Sequence, residues 1–279
     1  MNVKKLAIVV PCYNEEEVLS YTIKELTLLL DIMIDEDLVS EDSQICFVND
    51  GSSDKTEEIL EDLCSKNKKY SLVKLAKNFG HQYALLAGMY NVDADMVVTI
   101  DADLQDDHML IMDMVKKYYD GFEIVYGVRN KRSTDTFFKK NTAELFYKFM
   151  DKIGVKLVYN HADFRLLSKN AIERLKEYKE RTVFLRGLIP MIGLSSCKVY
   201  YDRLERIAGE SKYPLAKMLS FAWTGIISFS DFPIRLISLT GFITLLISLF
   251  SLAFILSGNS ITTFKTILFL TLFLSLIHI

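Results

Sequence analysis

An α/β domain attached to a membrane-embedded tail is the fold class this sequence predicts, and three observations carry the prediction. Short apolar runs alternate with helix-forming segments through the first half. Polar clusters recur at the carboxyl ends of those runs: Asn14-Glu15, Asn49-Asp50, Asn78 and Asp101-Ala-Asp103. From Ile234 onward the only charged side chains are Arg235 and Lys265, whereas charges are frequent before it.

The elements follow in order. Leu6 to Val10 reads as a buried strand, then a turn at Pro11 to Asn14 and a helix opening on Glu15-Glu16-Glu17, where acidic residues complement the positive end of the helix dipole. Gln44 to Val48 is a second strand, and Asp54 to Cys64 a helix with Ser53 or Asp54 as N-cap. Leu72 to Leu75, Met96 to Ile100 and Ile124 to Tyr126 supply three more strands, with a helix from His81 to Tyr90 between the first two. This alternation predicts a mostly parallel sheet with helices on both faces. Such sheets bind ligands beyond the carboxyl ends of their strands, where the polar clusters lie.

The second half is less regular. Phe137 to Ile153 has helical periodicity, with Phe138, Phe146 and Phe149 expected in packing roles, and Asn170 to Tyr178 reads as a short helix. Tyr213 to Phe229 is aromatic and apolar, as expected of a segment lying in a membrane interface. Leu236 to Ser257 is long enough to cross a bilayer, which takes about 20 apolar residues. After the turn Ser257-Gly-Asn-Ser260 a second apolar run starts at Phe264, and the expectation is a second membrane helix cut short at the chain end.

Composition excludes several classes. A net charge of −3 offers no basic field for nucleic acid. Cys12, Cys46, Cys64 and Cys197 form no C-x-x-C pair, so free thiols in a reducing compartment are expected. The apolar run ending at Pro11 is too short for a signal peptide.

Chemistry concentrates in a few motifs. Asp101-Ala-Asp103 puts two carboxylates at the end of the strand Met96 to Ile100, where they can share one polar site. Carboxylate oxygens hold a hard divalent cation, which neutralises the charge of a diphosphate leaving group. Asn49-Asp-Gly-Ser-Ser-Asp54 reads equally as a turn with an N-cap or as a ligand loop, in which Asp50 accepts from a base or ribose and Gly51 permits close backbone approach. Pro11-Cys-Tyr-Asn-Glu15 is likewise open between a plain strand-to-helix turn and a binding loop. Arg129, Lys131, Arg132, Lys139 and Lys140 read equally as a solvated basic surface helix or as groups that position a phosphate nucleophile, Arg129 foremost because it lies nearest a strand end. His108 and His161 read as surface residues, and His81 as helix packing or a ligand contact.

Together these segments resemble family 2 glycosyltransferases of the GT-A fold, and more narrowly the polyprenyl-phosphate glycosyltransferases, which include dolichyl-phosphate mannose synthases and bactoprenol glucosyltransferases. The resemblance runs through Val9-Val-Pro-Cys-Tyr-Asn-Glu-Glu16, Asn49-Asp-Gly-Ser-Ser-Asp54, Asn78-Phe-Gly-His81, Asp101-Ala-Asp-Leu-Gln105, Asp163-Phe-Arg165 and Arg206-Ile-Ala-Gly-Glu-Ser-Lys-Tyr213. It implies that Pro11, Tyr13 and Glu15 line a nucleotide pocket, with Asp50 on the base or ribose. It also implies that Asp101 and Asp103 hold Mg²⁺ or Mn²⁺ against the diphosphate with Gln105 nearby, and that Asp163 is a base or an acceptor-orienting group. Arg206, Ser211 and Lys212 would belong to a segment closing over the site, with Arg132 and Lys139 as further phosphate contacts. Two departures stand out: Asp107-His108 follows Gln105-Asp106 where the family usually has proline, and the Gln-x-x-Arg-Trp motif of processive synthases is absent.

The expected organisation is a catalytic domain over 1–210, an amphipathic juxtamembrane segment over 211–233 and a membrane hairpin over 234–279. The expected activity is inverting transfer of a hexose from a UDP-sugar or GDP-mannose to a polyprenyl phosphate such as undecaprenyl phosphate. Transfer to a glycan or protein acceptor, or an inactive membrane-anchored binding protein, are the rival readings, and a homo-oligomer is compatible with the sequence. Arg203, Arg206, Lys212, Lys217 and Arg235 precede the first span, and no Lys or Arg lies between Ser257 and Phe264. The positive-inside rule therefore predicts a multi-pass plasma-membrane protein with a cytoplasmic catalytic domain.

Overall fold

The computed structural model describes residues 3–130, 158, 160–179, 183–202 and 232–256. In chain order its elements are β1 (Leu6–Cys12), α1 (Glu16–Asp35), β2 (Gln44–Asn49), α2 (Thr56–Lys66), β3 (Tyr70–Lys74), α3 (His81–Asn91), β4 (Met96–Thr99), α4 (Leu110–Tyr119) and β5 (Ile124–Arg129). Then come β6 (His161–Ser168), α5 (Lys169–Glu177), α6 (Leu185–Met191), β7 (Ser196–Tyr201) and α7 (Phe232–Leu256). The seven strands form one sheet in the order β3-β2-β1-β4-β6-β5-β7.

Four of the strand pairings are parallel, β1 with β2 and β4, β2 with β3, and β5 with β7. The sheet is thus mostly parallel, as the alternation predicts. The addition is β6, which runs antiparallel between β4 and β5. Neither β6 nor β7 was legible as a strand. In β6 the polar residues His161, Asp163 and Arg165 are buried together with Ala162, Phe164 and Leu166, so the usual polar-out alternation is missing.

Every residue of β1 is buried, because helices cover both of its faces. Leu6, Ile8 and Val10 pack with Ile45 and Phe47 under α1 and α4, while Ala7 and Val9 pack with Cys46 and Val48 under α3. Pro11 sits in this central strand without breaking it. The Cys12 carbonyl faces β2, accepting from Asp50 N at 2.9 Å, so the nitrogen of Pro11 faces β4, whose pairing ends at Thr99 opposite Val9. No ladder donor is needed there. Gly88 brings α3 onto the sheet, since a Cβ at that position would lie 2.3 Å from Val9 Cγ1.

β2 lies on one side of β1 and β4 on the other, so the chain changes direction across the sheet at β1. The crevice outside such a switch point is where open α/β sheets bind ligands. Because β6 is antiparallel, its first residues also emerge at this edge.

α7 is 25 residues long, about 37 Å at 1.5 Å per residue. Residues Ile234–Ser251 have a mean hydropathy of 1.9, enough by length and composition to cross a membrane. Hydroxyls along it turn back to the helix backbone, with Ser238 donating to the Ile234 carbonyl (2.9 Å), Thr240 to Leu236 (3.0 Å) and Thr244 to Thr240 (3.1 Å). Each of these protons is thereby satisfied without water, as an apolar medium requires. The expected helix at 137–153, the interfacial segment at 213–229 and the second apolar run from Phe264 lie outside the described residues.

One glycine is fixed by geometry in two ways. Gly51 has φ +65°, and a Cβ there would lie 2.5 Å from the Lys77 carbonyl carbon. Gly51→Ala is expected to destabilise the fold by about 1–3 kcal/mol from the left-handed backbone alone, with the collision in addition. Urea unfolding followed by circular dichroism in detergent checks this, and an unchanged midpoint would show that the loop gives way.

Candidate active site

Four segments meet at the carboxyl edge of the sheet. The first two, after β1 and β2, are stitched together. Ser52 Oγ accepts from Asn14 N (3.0 Å), Asn14 Oδ1 from Ser53 N (2.8 Å) and Thr56 Oγ1 from Glu15 N (2.9 Å). The first turns of α1 and α2 cap one another: Asp54 Oδ2 accepts from Glu16 N (3.1 Å) and Glu16 Oε2 from Lys55 N (3.0 Å). Asp54 also accepts from Thr56 N (3.0 Å), although the N-cap is Lys55 rather than the expected Ser53 or Asp54, because the helix starts two residues later. Burial opposes its charge, but the donors from Thr56 and Glu16 outweigh burial and hold its carboxyl below the ordinary range.

The third segment, Asn78 to His81, is held by Asp50. Both oxygens of this buried carboxylate accept backbone N–H bonds, Oδ1 from Phe79 (2.7 Å) and Oδ2 from Gly80 (2.9 Å). The close approach that Gly51 permits is to this segment's neighbour Lys77. Asp50 and Gly51 therefore build the loop that starts α3. Tyr13 is exposed at the same edge.

The fourth segment follows β4. Ala102 is buried and its carbonyl accepts from Thr22 Oγ1 of α1, which fixes the loop between the two aspartates. Asp103 Oδ1 accepts from Gln105 N (3.3 Å). The Asp101 side chain is 43% exposed as a whole, yet its Oδ1 is enclosed and lacks a hydrogen-bond partner. Burial pushes the Asp101 carboxyl up to about 6; His81 opposes the rise, and the charges of Asp106, Asp163 and Asp103 reinforce it. Gln105 is buried with its Nε2 also unpartnered.

β6 brings the remaining groups. Asp163 is 9% exposed and takes two guanidiniums: Arg165 Nη2 on Oδ1, and Arg186 Nε (3.4 Å to Oδ1) and Nη2 (3.1 Å to Oδ2). Gln82 Nε2 donates to Oδ2 at 3.5 Å, and Gln82 Oε1 accepts from Leu185 N (3.0 Å) at the start of α6. His81 Nε2 lies 3.7 Å from Asp163 Oδ2 and 3.4 Å from Asp101 Oδ1, bridging the two carboxylates. Burial would raise the Asp163 carboxyl, but Arg186, Arg165 and His81 together hold it well below the carboxylate range.

The predicted residues are only partly assembled. Asp101, Asp103 and Asp163 stand at one edge, and His81 links Asp101 to Asp163. Arg129 is committed elsewhere, its Nε and Nη2 on Asp106 Oδ1 at 3.2 and 2.9 Å and its Nε 3.3 Å from Tyr201 Oη. Arg132, Lys139, Arg206, Ser211 and Lys212 lie outside the described residues. The surface reading of His161 is corrected. It is buried, Nδ1 is 2.6 Å from the Val158 carbonyl, and its ring meets Tyr126 edge-on at 5.6 Å. Burial first, then Arg165 and Arg186, push its pKa down to about 3, so it is neutral in the fold. Gln82 and Arg186 were missed by sequence reasoning. The available signal was one charge, Arg186, inside the apolar run Val183 to Ile189.

The donor set suits a hard divalent cation. Among the described residues no group of three or more His, Cys, Asp or Glu side chains forms a metal cage. Mg²⁺-type sites are commonly open in this way, with one or two carboxylates completed by phosphate oxygens and water. The unpartnered Asp101 Oδ1 beside Asp103 fits such a site.

Two stability outcomes follow. Asp163→Asn leaves the 1%-exposed Arg165 without its carboxylate, an expected loss of about 3–5 kcal/mol. In the wild type that pairing is fully present above about pH 4 and fades only as pH falls towards the depressed folded value. His161 acts over a higher window. Below about pH 6.5 the unfolded chain takes up a proton that folded His161 refuses until about pH 3, so stability falls with pH. Between pH 6.5 and 5 the loss is about 2 kcal/mol, and His161→Gln should abolish it. Urea titrations at both pH values check this, and identical slopes for variant and wild type would refute it.

Comparison with known proteins completes the picture. The sequence model of the family described as "Glycosyl transferase family 2" matches residues 7–176. The glycosyltransferase YkoT of Bacillus subtilis (strain 168) is 55% identical over 245 residues, 87% of this chain and 73% of that protein. The bactoprenol glucosyl transferase of Shigella phage SfX is 36% identical over 276 residues, 97% of this chain and 88% of that one. Among solved structures, glucosyl-3-phosphoglycerate synthase from Mycobacterium tuberculosis, in complex with Mn²⁺, UDP and glucosyl-3-phosphoglycerate, aligns with a TM-score of 0.54 at 17% identity. That alignment covers 81% of this chain and 78% of that one, and shows the shared fold. The woven loops after β1 and β2, the Asp-x-Asp turn and the sheet that carries them thus have one source: the chain belongs to glycosyl transferase family 2, with a GT-A fold.

Proposed function

We propose that this glycosyltransferase moves a hexose from a nucleoside-diphosphate sugar to a polyprenyl phosphate at the cytoplasmic face of the membrane. The observation that carries the reading is the 36% identity, over 97% of the chain, to a protein named bactoprenol glucosyl transferase. The long apolar helix found among the described residues supports it, since a lipid-borne acceptor calls for an enzyme held at the bilayer. The proposed organisation stays that of a catalytic domain over 1–210, a juxtamembrane segment over 211–233 and membrane-embedded residues from 234.

In this reading Pro11, Tyr13 and Glu15 border the nucleotide, and Asp50 acts by fixing the loop that ends at His81. Asp101 and Asp103, with Gln105 beside them, would hold Mg²⁺ or Mn²⁺, which supplies charge neutralisation for the departing diphosphate. Asp163 orients rather than deprotonates: a carboxylate held so far down by two arginines is a weak proton acceptor. A phosphate monoester has a second pKa near 6, so the acceptor reaches the site largely as a dianion and needs positioning more than activation.

The test uses purified full-length protein with undecaprenyl phosphate and radiolabelled UDP-glucose, other UDP-hexoses or GDP-mannose. Label is expected in the lipid extract with one donor, abolished by excess chelator and restored by Mg²⁺ or Mn²⁺. Asp103→Ala is expected to lose at least about a hundredfold in rate with an unchanged circular dichroism spectrum. Label in a glycan or protein fraction instead of lipid overturns the acceptor, and full turnover in chelator overturns the metal.

A further inference from the structure

Asp163 carries two guanidiniums, and they are not equivalent. Arg165 extends from the same strand, is 1% exposed and makes the closer contact. Arg186 reaches in from α6, is 33% exposed and holds the carboxylate at 3.1 and 3.4 Å. Charge-assisted N–H···O bonds are optimal at about 2.7–2.9 Å, so Arg186 is the looser of the two.

We propose that Arg186 is a phosphate-binding residue of the transfer site, parked on Asp163 and passed to a phosphate oxygen when substrate enters. This rests on the transferase reading above. Cost decides which arginine can serve. Removing one partner of a buried ion pair strands the other charge, which is strongly unfavourable. When Arg186 leaves, Asp163 keeps Arg165, Gln82 and the nearby His81, so no buried charge is stranded. Arg129 has no such freedom: Asp106 is 3% exposed, and Arg129 is the cation that the described residues place on it. Of the two arginines, Arg186 is therefore the one that can leave its carboxylate at the lower cost.

Placement and shape agree with that role. His81 lies between Asp163 and Asp101, so Arg186 is joined to Asp101 through three successive contacts. Its Nε and Nη2 already address two oxygens of one planar group, and the same fork fits two oxygens of a phosphate. Gln82 sets the reach: by accepting from Leu185 N it pins the first turn of α6 to α3, where His81 also begins. The phosphate is either the donor's diphosphate or the acceptor's monoester, and the two are separable by experiment.

Wild type, Arg186→Gln and Arg186→Lys are compared as full-length protein in detergent. UDP affinity is measured by calorimetry in the presence of Mn²⁺, and KM for donor and acceptor is measured separately. Loss of a charge-assisted contact should raise one constant by about tenfold or more in Arg186→Gln, with partial recovery in Arg186→Lys. Weaker UDP binding with a raised donor KM assigns the diphosphate, and unchanged UDP binding with a raised acceptor KM assigns the monoester. All three constants within twofold of wild type in both variants overturn the proposal, as does a fall in kcat alone. Should Arg186→Gln fail to fold, Arg186→Lys decides on the same readouts. A wild type that transfers no hexose to polyprenyl phosphate sinks the acceptor reading instead, and UDP affinity alone then decides the role of Arg186.

Discussion

The ion pair between Asp163 and Arg165 is the constraint on which the rest of this site depends. Both groups are buried on one face of β6, two residues apart on a strand, so neither can reach water when the other is removed. A pair so enclosed contributes little net stability against an apolar alternative, but it is costly to break. What it does is fix a negative charge at the sheet edge whose position is set by backbone register rather than by a flexible side chain. His81, Gln82 and Arg186 then arrange themselves around that charge, and through His81 the carboxylate of Asp101 joins the same field.

The other half of the site is built from backbone. Asp50, buried like Asp163, spends both oxygens on the N–H groups of Phe79 and Gly80, and the loops after β1 and β2 bind one another through Asn14, Ser52, Ser53 and Thr56. Residues that read as ligand contacts thus serve first as loop architecture. Loops built this way present fixed amides and hydroxyls, so a ligand arriving at this edge would demand little reorganisation.

How much of this was legible depends on which physical signal each part left. Strands β1, β2 and β4 are continuous apolar runs ended by polar turns, and buried parallel strands read that way. The Asp101-Ala-Asp103 turn was legible for the same reason, since it interrupts apolar sequence at a known place in the topology. β6 was not, because both of its faces are buried while one carries His161, Asp163 and Arg165, so no apolar run marks it as a core strand. Arg129 was legible from its nearness to a strand end, but its pairing with Asp106 was not, because the two lie apart in sequence and meet only in the fold. Arg186 was hidden because pairing across the gap between two elements leaves no local spacing to detect.

The alternation along β6 carries a consequence for how this sequence can vary. Ala162, Phe164 and Leu166 face α4 and the first core layer, while His161, Asp163, Arg165 and Leu167 face the second. A side-chain period of two means that deleting or inserting one residue here would swap the layers. It would drive three polar groups into the hydrocarbon packing around Ile8 and Val98 and point a phenylalanine at Asp101. Point substitutions elsewhere on the strand leave the charge lattice in place, whereas a shift of one residue erases it entirely. Across descendants of this chain, the length between Asn160 and Ser168 should therefore be inherited more strictly than the residues that fill it.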